Sequence, residues 1–443
     1  MKKTVITMVS ILLIVAFSLF TFTGCSRETS KYVSFTMKVK KDGTFKILQL
    51  TDIHFINSDV KDSRSVQKSY CYRDEWAQTV ITDLVERAKP DMIMVTGDSV
   101  FTLNSTIQYT GTNDNEAAFR KFARFIDSFK IPWAFLFGNH DEEGSLHSML
   151  GDVDEVKSEL GMILRSDEIK YCMYTDGPED INGIGNYIIN IVNRDGSTNT
   201  PLVLFDSGSY LKNIVNEKDG QAYADQRAYE YVHDDQLDWY EKAINDISRI
   251  EKKKVDSIVF QHIPFPEYAK VIDSYIDALE ALGENWEDTI NVNWEFGKTR
   301  TLDTKVGEIT YHGGIYGDKE VACSFVGQFQ VGEFYGPTFD GGHEFERLLS
   351  LGSTKYVFCG HDHRNNFSFT YKGIRLTYGM SIDYSANGIV SPPVSYTQTI
   401  FDETEQRGGT LITIGKDSSV SIEQLPFTRN LYRETMEELH LKK

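Results

Sequence analysis

The chain has 443 residues, 40% of them hydrophobic and 25% charged, a composition that supports a folded globular core and argues against disorder. Its 46 basic and 65 acidic residues leave a net charge of -19, which argues against a basic surface for duplex nucleic acid or an anionic membrane face. A small phosphorylated ligand stays compatible, because bound cations invert the local field.

Lys2 and Lys3 open the chain, an apolar run covers residues 5–22, and Thr23-Gly24-Cys25 precedes a polar stretch. This is a targeting segment, set apart from the fold. Small residues before a cysteine resemble a bacterial lipoprotein signal over residues 1–25, with Cys25 lipidated and leading the mature chain; Phe22 stands where leucine is usual. An ordinary cleaved signal peptide and an uncleaved single-span anchor are the alternatives. All three place the rest of the chain outside the cytoplasm, and the first anchors it at the cell surface. Cys71, Cys172, Cys323 and Cys359 show no zinc-ligand spacing. An oxidising compartment permits disulfides among them, and Cys359 reads as a small hydrophobe in a strand.

Residues 26–44 read as a tether and first strand region. Residues 45–51 form an apolar strand that ends in Asp52-Ile53-His54. Trp76, Val80, Ile81, Leu84, Val85 and Ala88 recur at helical spacing before Pro90. Residues 92–96 form a strand ending in Gly97-Asp98, a helix follows with Phe119, Phe122, Ile126 and Phe129 inward, and a strand over 133–137 ends in Gly138-Asn139-His140-Asp141. This βαβαβ order predicts a parallel sheet covered on both faces. Further on, a helix is predicted around 153–160, strands over 187–192 and 202–206, and a helix over 235–250. A short strand over 257–260 ends at Gln261-His262. Residues 283–342, rich in glycine and aromatics, read as an insertion of functional use. A strand over 356–359 ends in Gly360-His361-Asp362-His363, and 366–371, 374–378, 410–414 and 420–425 read as consecutive antiparallel strands. The folded domain spans 45–430, with 431–443 as a tail.

Five strand ends share one grammar: an apolar run followed at once by Asp, Asn or His. In open α/β sheets such ends meet in one crevice beyond the carboxyl edge. Asp52, His54, Asp98, Asn139, His262, His361 and His363 form a mixed nitrogen and oxygen donor set without thiolates, suited to Mn, Fe or Zn. Seven donors exceed one tetrahedral site, so two divalent ions are the better count. His140 is left over as a proton carrier, with Asp141 either orienting it or capping the loop. Asp362 reads as a supporting or solvated group. His147, His233, His312, His343 and His440 lie outside the grammar and read as surface or structural.

This ordered set resembles the calcineurin-like metallophosphoesterase family, and most closely its purple-acid-phosphatase-like branch that keeps a plain Asp-x-His. The stretches that carry the resemblance are Leu50-Thr51-Asp52-Ile53-His54-Phe55, Phe137-Gly138-Asn139-His140-Asp141-Glu142, His262-Ile263-Pro264-Phe265-Pro266-Glu267 and Gly360-His361-Asp362-His363. The resemblance implies a four-layer α/β/β/α sandwich. It implies that Asp52, His54 and His363 bind one metal, that Asn139, His262 and His361 bind the other, and that Asp98 bridges both. His140 would face the scissile phosphate. True purple acid phosphatases carry a metal-binding Tyr where this chain has Phe101, and lack the His that it has at His54. The implied reaction is hydrolysis of phosphate esters by a hydroxide held between two divalent ions, with His140 stabilising phosphoryl charge or protonating the leaving group. Alternatives are a phosphodiesterase or nucleotidase, with Trp286, Trp294, Tyr311, Phe334 and Tyr335 stacking a base or forming a local core, and a non-catalytic surface binding protein that keeps the fold.

Overall fold

The computed structural model describes residues 27–57, 73–101, 114–143, 153–209, 229–286, 297–314, 343–363, 365–382 and 407–427. A short strand β1 (Phe35–Lys38) lies in the stretch read as tether and first strand. The predicted βαβαβ unit follows: β2 (Phe45–Leu50), α1 (Arg73–Ala88), β3 (Met92–Thr96), α2 (Asn115–Asp127) and β4 (Trp133–Leu136). These three strands are parallel neighbours. Their faces are covered on both sides, which is why they read as unbroken apolar runs rather than as alternation.

The chain then runs through α3 (Val153–Leu164), β5 (Tyr187–Val192), β6 (Thr198–Leu204), α4 (Asp234–Glu251), β7 (Ser257–Phe260), α5 (Glu267–Ala281), β8 (Arg300–Thr304), β9 (Gly307–Tyr311), α6 (Glu344–Leu351), β10 (Thr354–Cys359), β11 (Ser368–Tyr371), β12 (Ile374–Tyr378), β13 (Gly408–Ile414) and β14 (Val420–Pro426). Among the described residues there are two sheets, ordered β1-β5-β6-β7-β10-β12-β11-β9-β8 and β14-β13-β2-β3-β4.

Side-chain alternation in the larger sheet defines the layers. Tyr187, Ile189, Ile191, Leu202, Leu204, Ile258, Phe260 and Phe358 pack into one core with Leu48, Val95 and Phe135 of the smaller sheet and with the apolar faces of α1 and α2. Their neighbours Ile188, Val203, Val259, Val357 and Cys359 face the other way, into a core shared with α4, α5 and α6. Because the strand period is two, one sheet serves both cores. The result is the expected α/β/β/α sandwich. Phe135 shows the density of the first core: its ring meets those of Phe119, Phe122, Phe137 and Tyr174. Truncating it to Ala would cost about 3–5 kcal/mol.

Three features differ from the sequence reading. The strands after residue 366 do not form one antiparallel run. β11 and β12 make a hairpin in the larger sheet, where β12 lies parallel to β10, while β13 and β14 make a hairpin on the smaller sheet against β2. Apolar alternation sets which face of a hairpin is buried, not which sheet receives it. α5 was not predicted, although Tyr268, Val271, Ile272, Tyr275, Ile276 and Leu279 recur at helical spacing and are all buried. Within the 283–342 stretch, β8 and β9 extend the larger sheet as an antiparallel hairpin; Trp294, Phe334 and Tyr335 lie outside the described residues, as do Cys25, Cys71, Cys323, His147 and His440. Cys359 is a buried free thiol in β10.

Candidate metal centre

The five strand ends do meet. β2, β3 and β4 of one sheet and β7 and β10 of the other deliver their carboxyl-terminal residues to one buried rim. Gln49 ties the two sheets together just below it, its amide donating to Thr96 Oγ1 at 3.0 Å and to the Cys359 carbonyl at 3.2 Å. Asp52, His54, Asp98 and His363 present one ligand atom each within 4.8 Å of one another, as do Asp98, His262 and His361. Asp98 belongs to both groups. Its Oδ2 lies 3.4 Å from His54 Nε2 and 3.2 Å from His262 Nε2. Asn139 Oδ1 lies 3.1 Å from His262 Nε2, and Asp52 Oδ1 lies 3.4 Å from His363 Nε2. All seven predicted ligand positions thus fall in one cluster.

Backbone strain accompanies this convergence. Asp52, His54, Asp98 and His361 have φ of 51°, 56°, 51° and 73°, a left-handed region costly for residues with a Cβ. Tight turns at the ends of β2, β3 and β10 carry these side chains toward the cluster. Gly97 has φ of 86°, and a Cβ there would lie 2.6 Å from His262 Nδ1. A Cβ on Gly138 would overlap the Asp98 carboxylate. Both glycines therefore let the β3 and β4 ends close on each other.

Asp141 is the peg of this loop pair, and it does not orient His140. Its carboxylate accepts from the main-chain N–H groups of Gly138 at 2.8 Å, Asp98 at 3.0 Å, Ser99 at 2.8 Å and Val100 at 3.2 Å, and from Ser99 Oγ at 2.5 Å. Burial, then the nearby Asp98 charge, push its carboxyl up to about 6. The group that meets His140 is Glu143, whose Oε2 lies 2.8 Å from His140 Nδ1. The sequence placed Asp141, Glu142 and Glu143 side by side after His140 and gave no means of choosing among them. Phe101, at the position of the purple-phosphatase Tyr, stacks on His54 at 5.0 Å and meets the His140 ring edge-on at 4.5 Å. Asp362 is buried and bonded to the Asn365 amide, so it braces the loop rather than facing solvent. Tyr229, outside the grammar, packs against the His361 ring at 4.3 Å. His233 and His343 stand at the N-cap positions of α4 and α6, and His312 bonds Thr370.

The electrostatics fit cations. His262 Nδ1 donates to the Thr96 carbonyl at 2.8 Å, which leaves a lone pair on Nε2. That lone pair faces the Asn139 carbonyl oxygen and the Asp98 carboxylate, acceptors that repel it unless a positive charge sits between. Burial disfavours a charged His262, yet Asp98 outweighs it and pushes the ring up to about 9. Burial also works to raise the Asp98 carboxyl, but the His262 and His140 charges hold it well below the usual carboxylate range. The cluster therefore draws in positive charge, and metal ions compete with protons for it. Asp52 Oδ2 is buried with no hydrogen-bond partner among the described residues, as an oxygen reserved for a cation would be. The donor set and its two overlapping groups fit two divalent ions.

A second buried network stands behind the loop. Lys157 of α3 donates to both oxygens of Asp206 at 2.9 and 2.8 Å and lies 3.7 Å from Glu142. Burial pushes the Glu142 carboxyl up to about 7. A lone Lys in an amphipathic helix gave no sign of this role.

A family model described as calcineurin-like phosphoesterase matches residues 45–365. The chain is similar to "Probable inactive purple acid phosphatase 28" of Arabidopsis thaliana, 28% identical over 366 residues, with 80% of this chain and 74% of that one covered. It is similar to "Probable inactive purple acid phosphatase 14" of the same plant, 27% identical over 371 residues, with 80% and 74% covered. It is also similar to "Phosphatase DCR2" of Saccharomyces cerevisiae, 29% identical over 239 residues, with 52% and 36% covered.

Proposed function

Because the chain belongs to the calcineurin-like phosphoesterase family, we propose that it is a working phosphoesterase that hydrolyses small phosphate esters at a centre of two divalent ions. The observation that carries this reading is Asp98, a buried carboxylate common to two groups able to hold a metal. Plant relatives bear the word "inactive" in their names; in this chain every ligand position is filled, and a decayed centre would show gaps. Asp52, His54 and His363 would hold one ion, Asn139, His262 and His361 the other, and Asp98 would serve both. The nitrogen and oxygen donors favour Mn, Fe or Zn.

When bound, the ions supply Lewis acidity toward the phosphoryl oxygens and a water of lowered pKa. The chain supplies the rest. Asp98 would join the two ligand groups, Asp141 locks the loops, and the buried rim strengthens each electrostatic contact. His140 Nε2 lies 4.0 Å from Asp98 Oδ2, so it faces the centre from the side and is placed to hold a phosphoryl oxygen or to give a proton to the leaving group.

Export and a lipid anchor at Cys25 belong to the same proposal. They are supported by Lys2 and Lys3, the apolar run over 5–22 and the small residues before the cysteine. Among the described residues no helix is long and apolar enough to cross a membrane. A nucleotide substrate is the second reading, on the aromatic content of 283–342; of those aromatics Tyr311 is buried in the core shared with α4, α5 and α6 and Trp286 packs against it, which is the local-core alternative.

The test is elemental analysis of the purified chain together with hydrolysis of an aryl phosphate and of a panel of mono- and diesters. Bound transition metal and chelator-sensitive turnover are expected, and in His140→Ala loss of turnover on the alkyl esters of the panel with metal retained. Protein without metal or turnover refutes the reading, and alkyl-ester hydrolysis that survives in His140→Ala removes the role given to that residue.

A further inference from the structure

We propose that Glu143 is the positioning residue for leaving-group protonation, holding His140 so that its Nε2 and not its Nδ1 faces the substrate. This rests on the phosphoesterase reading above and deepens it, toward esters of poorly departing alkoxides.

The geometry sets the tautomer. A carboxylate accepts and does not donate, so the 2.8 Å contact between Glu143 Oε2 and His140 Nδ1 requires an N–H at Nδ1. The proton that comes and goes is then the one on Nε2, the nitrogen on the Asp98 side of the ring. Two further contacts hold the residue, one at its backbone and one at its ring. The His140 main-chain N–H donates to Asp98 Oδ1 at 2.8 Å, and the Phe101 ring stands at 88° to it, 4.5 Å away. Glu143 lies one turn beyond His140, and its own N–H donates to the His140 carbonyl at 3.2 Å. That turn brings the residue three positions on back beneath the imidazole. Asp141, which the sequence offers for the same task, is fully occupied by the four loop N–H groups and the Ser99 hydroxyl.

The step balances as follows. A water oxygen forms a bond to phosphorus and releases a proton to solvent. The bond from phosphorus to the ester oxygen breaks, with its electron pair going to that oxygen. Nε2 of His140 gives the oxygen a proton, and solvent returns one to Nε2. A phenolate departs without that proton; an alkoxide does not.

The experiment compares full-length zinc-loaded wild type, Glu143→Ala, Glu143→Gln, His140→Ala and the double variant on an aryl phosphate and an alkyl phosphate. Glu143→Ala should lower kcat on the alkyl ester about 10- to 100-fold, change it on the aryl ester by less than about threefold, and keep its metal. Glu143→Gln should recover most of the loss, since its amide oxygen still accepts from Nδ1–H. In the His140→Ala background, Glu143→Ala should do nothing more. Nitrogen NMR of His140 is a readout independent of turnover: a protected Nδ1–H is expected in wild type and in Glu143→Gln, and its loss in Glu143→Ala. Equal losses on both esters, an additive effect in the double variant, or a bare Nδ1 in wild type would overturn the proposal. Absence of wild-type turnover with the Nδ1–H in place would instead refute the phosphoesterase reading and leave the positioning contact standing.

Discussion

Replacing Asp141 with Ala should cost the fold more than any other single change near the centre, and the cost can be worked from its contacts. The carboxylate accepts from three main-chain N–H groups at 2.8–3.0 Å, Gly138, Asp98 and Ser99, and from Val100 at 3.2 Å. All lie in a buried rim. Each buried donor left bare costs about 1–3 kcal/mol. Part is recovered because a carboxylate crowded by Asp98 is removed and because water can enter the space left. A net loss of about 3–4 kcal/mol is expected. Asp141→Asn should fall between, since its oxygen still serves Ser99 while its NH2 opposes the N–H groups of Gly138 and Asp98. The assay is urea unfolding of chelator-treated protein, so that lost metal does not enter the difference. Metal-loaded protein should lose ion content as well, because the same loops carry Asp98 and Asn139. A loss under about 1 kcal/mol, with normal metal content, would refute the view that Asp141 pegs the two loops together.

Two further outcomes test other parts of the molecule. Burial, and then the Glu267 charge against the opposing Gln261 contact, push the Glu344 carboxyl up to about 8 from an ordinary 4.5. The folded chain then keeps a proton that the unfolded chain releases, so this group lowers stability as pH rises from about 5 to 8. Glu344→Gln should be near neutral at pH 5 and stabilising by about 2–4 kcal/mol at pH 8, read by thermal unfolding; a pH-independent difference would contradict it. Cys25→Ala should abolish incorporation of labelled fatty acid and release the chain from membranes, and labelling that persists would remove Cys25 as the anchor.

The centre was legible in the sequence because its chemistry sits at strand ends, and strand ends are marked by an abrupt change from apolar to polar. Asp52, Asp98, Asn139, His262 and His361 each follow such a run, and the sheet edge does the gathering. Support was less legible. Whether Asp141 or Glu143 serves His140 depends on one turn of backbone after β4, and three consecutive carboxylates give no signal for it. The Lys157 to Asp206 pair joins α3 to the end of β6 across 49 positions, and nothing local requires it. In the fold, β2, β3 and β4 were clear because parallel strands buried on both faces are apolar throughout. The destination of the β13–β14 hairpin was not, because it is set by pairing with β2, far away in the chain. α5 is a different case: Tyr268 to Leu279 carry helical periodicity, directly after the Pro264 and Pro266 that follow His262.

The central claim is that Asp98 is shared by two cations. Elemental analysis of wild type and Asp98→Asn, purified alike and loaded with the same metal, tests it most directly. Two ions per chain are expected in wild type and one or none in the variant. One ion in wild type, or two retained in Asp98→Asn, would contradict it.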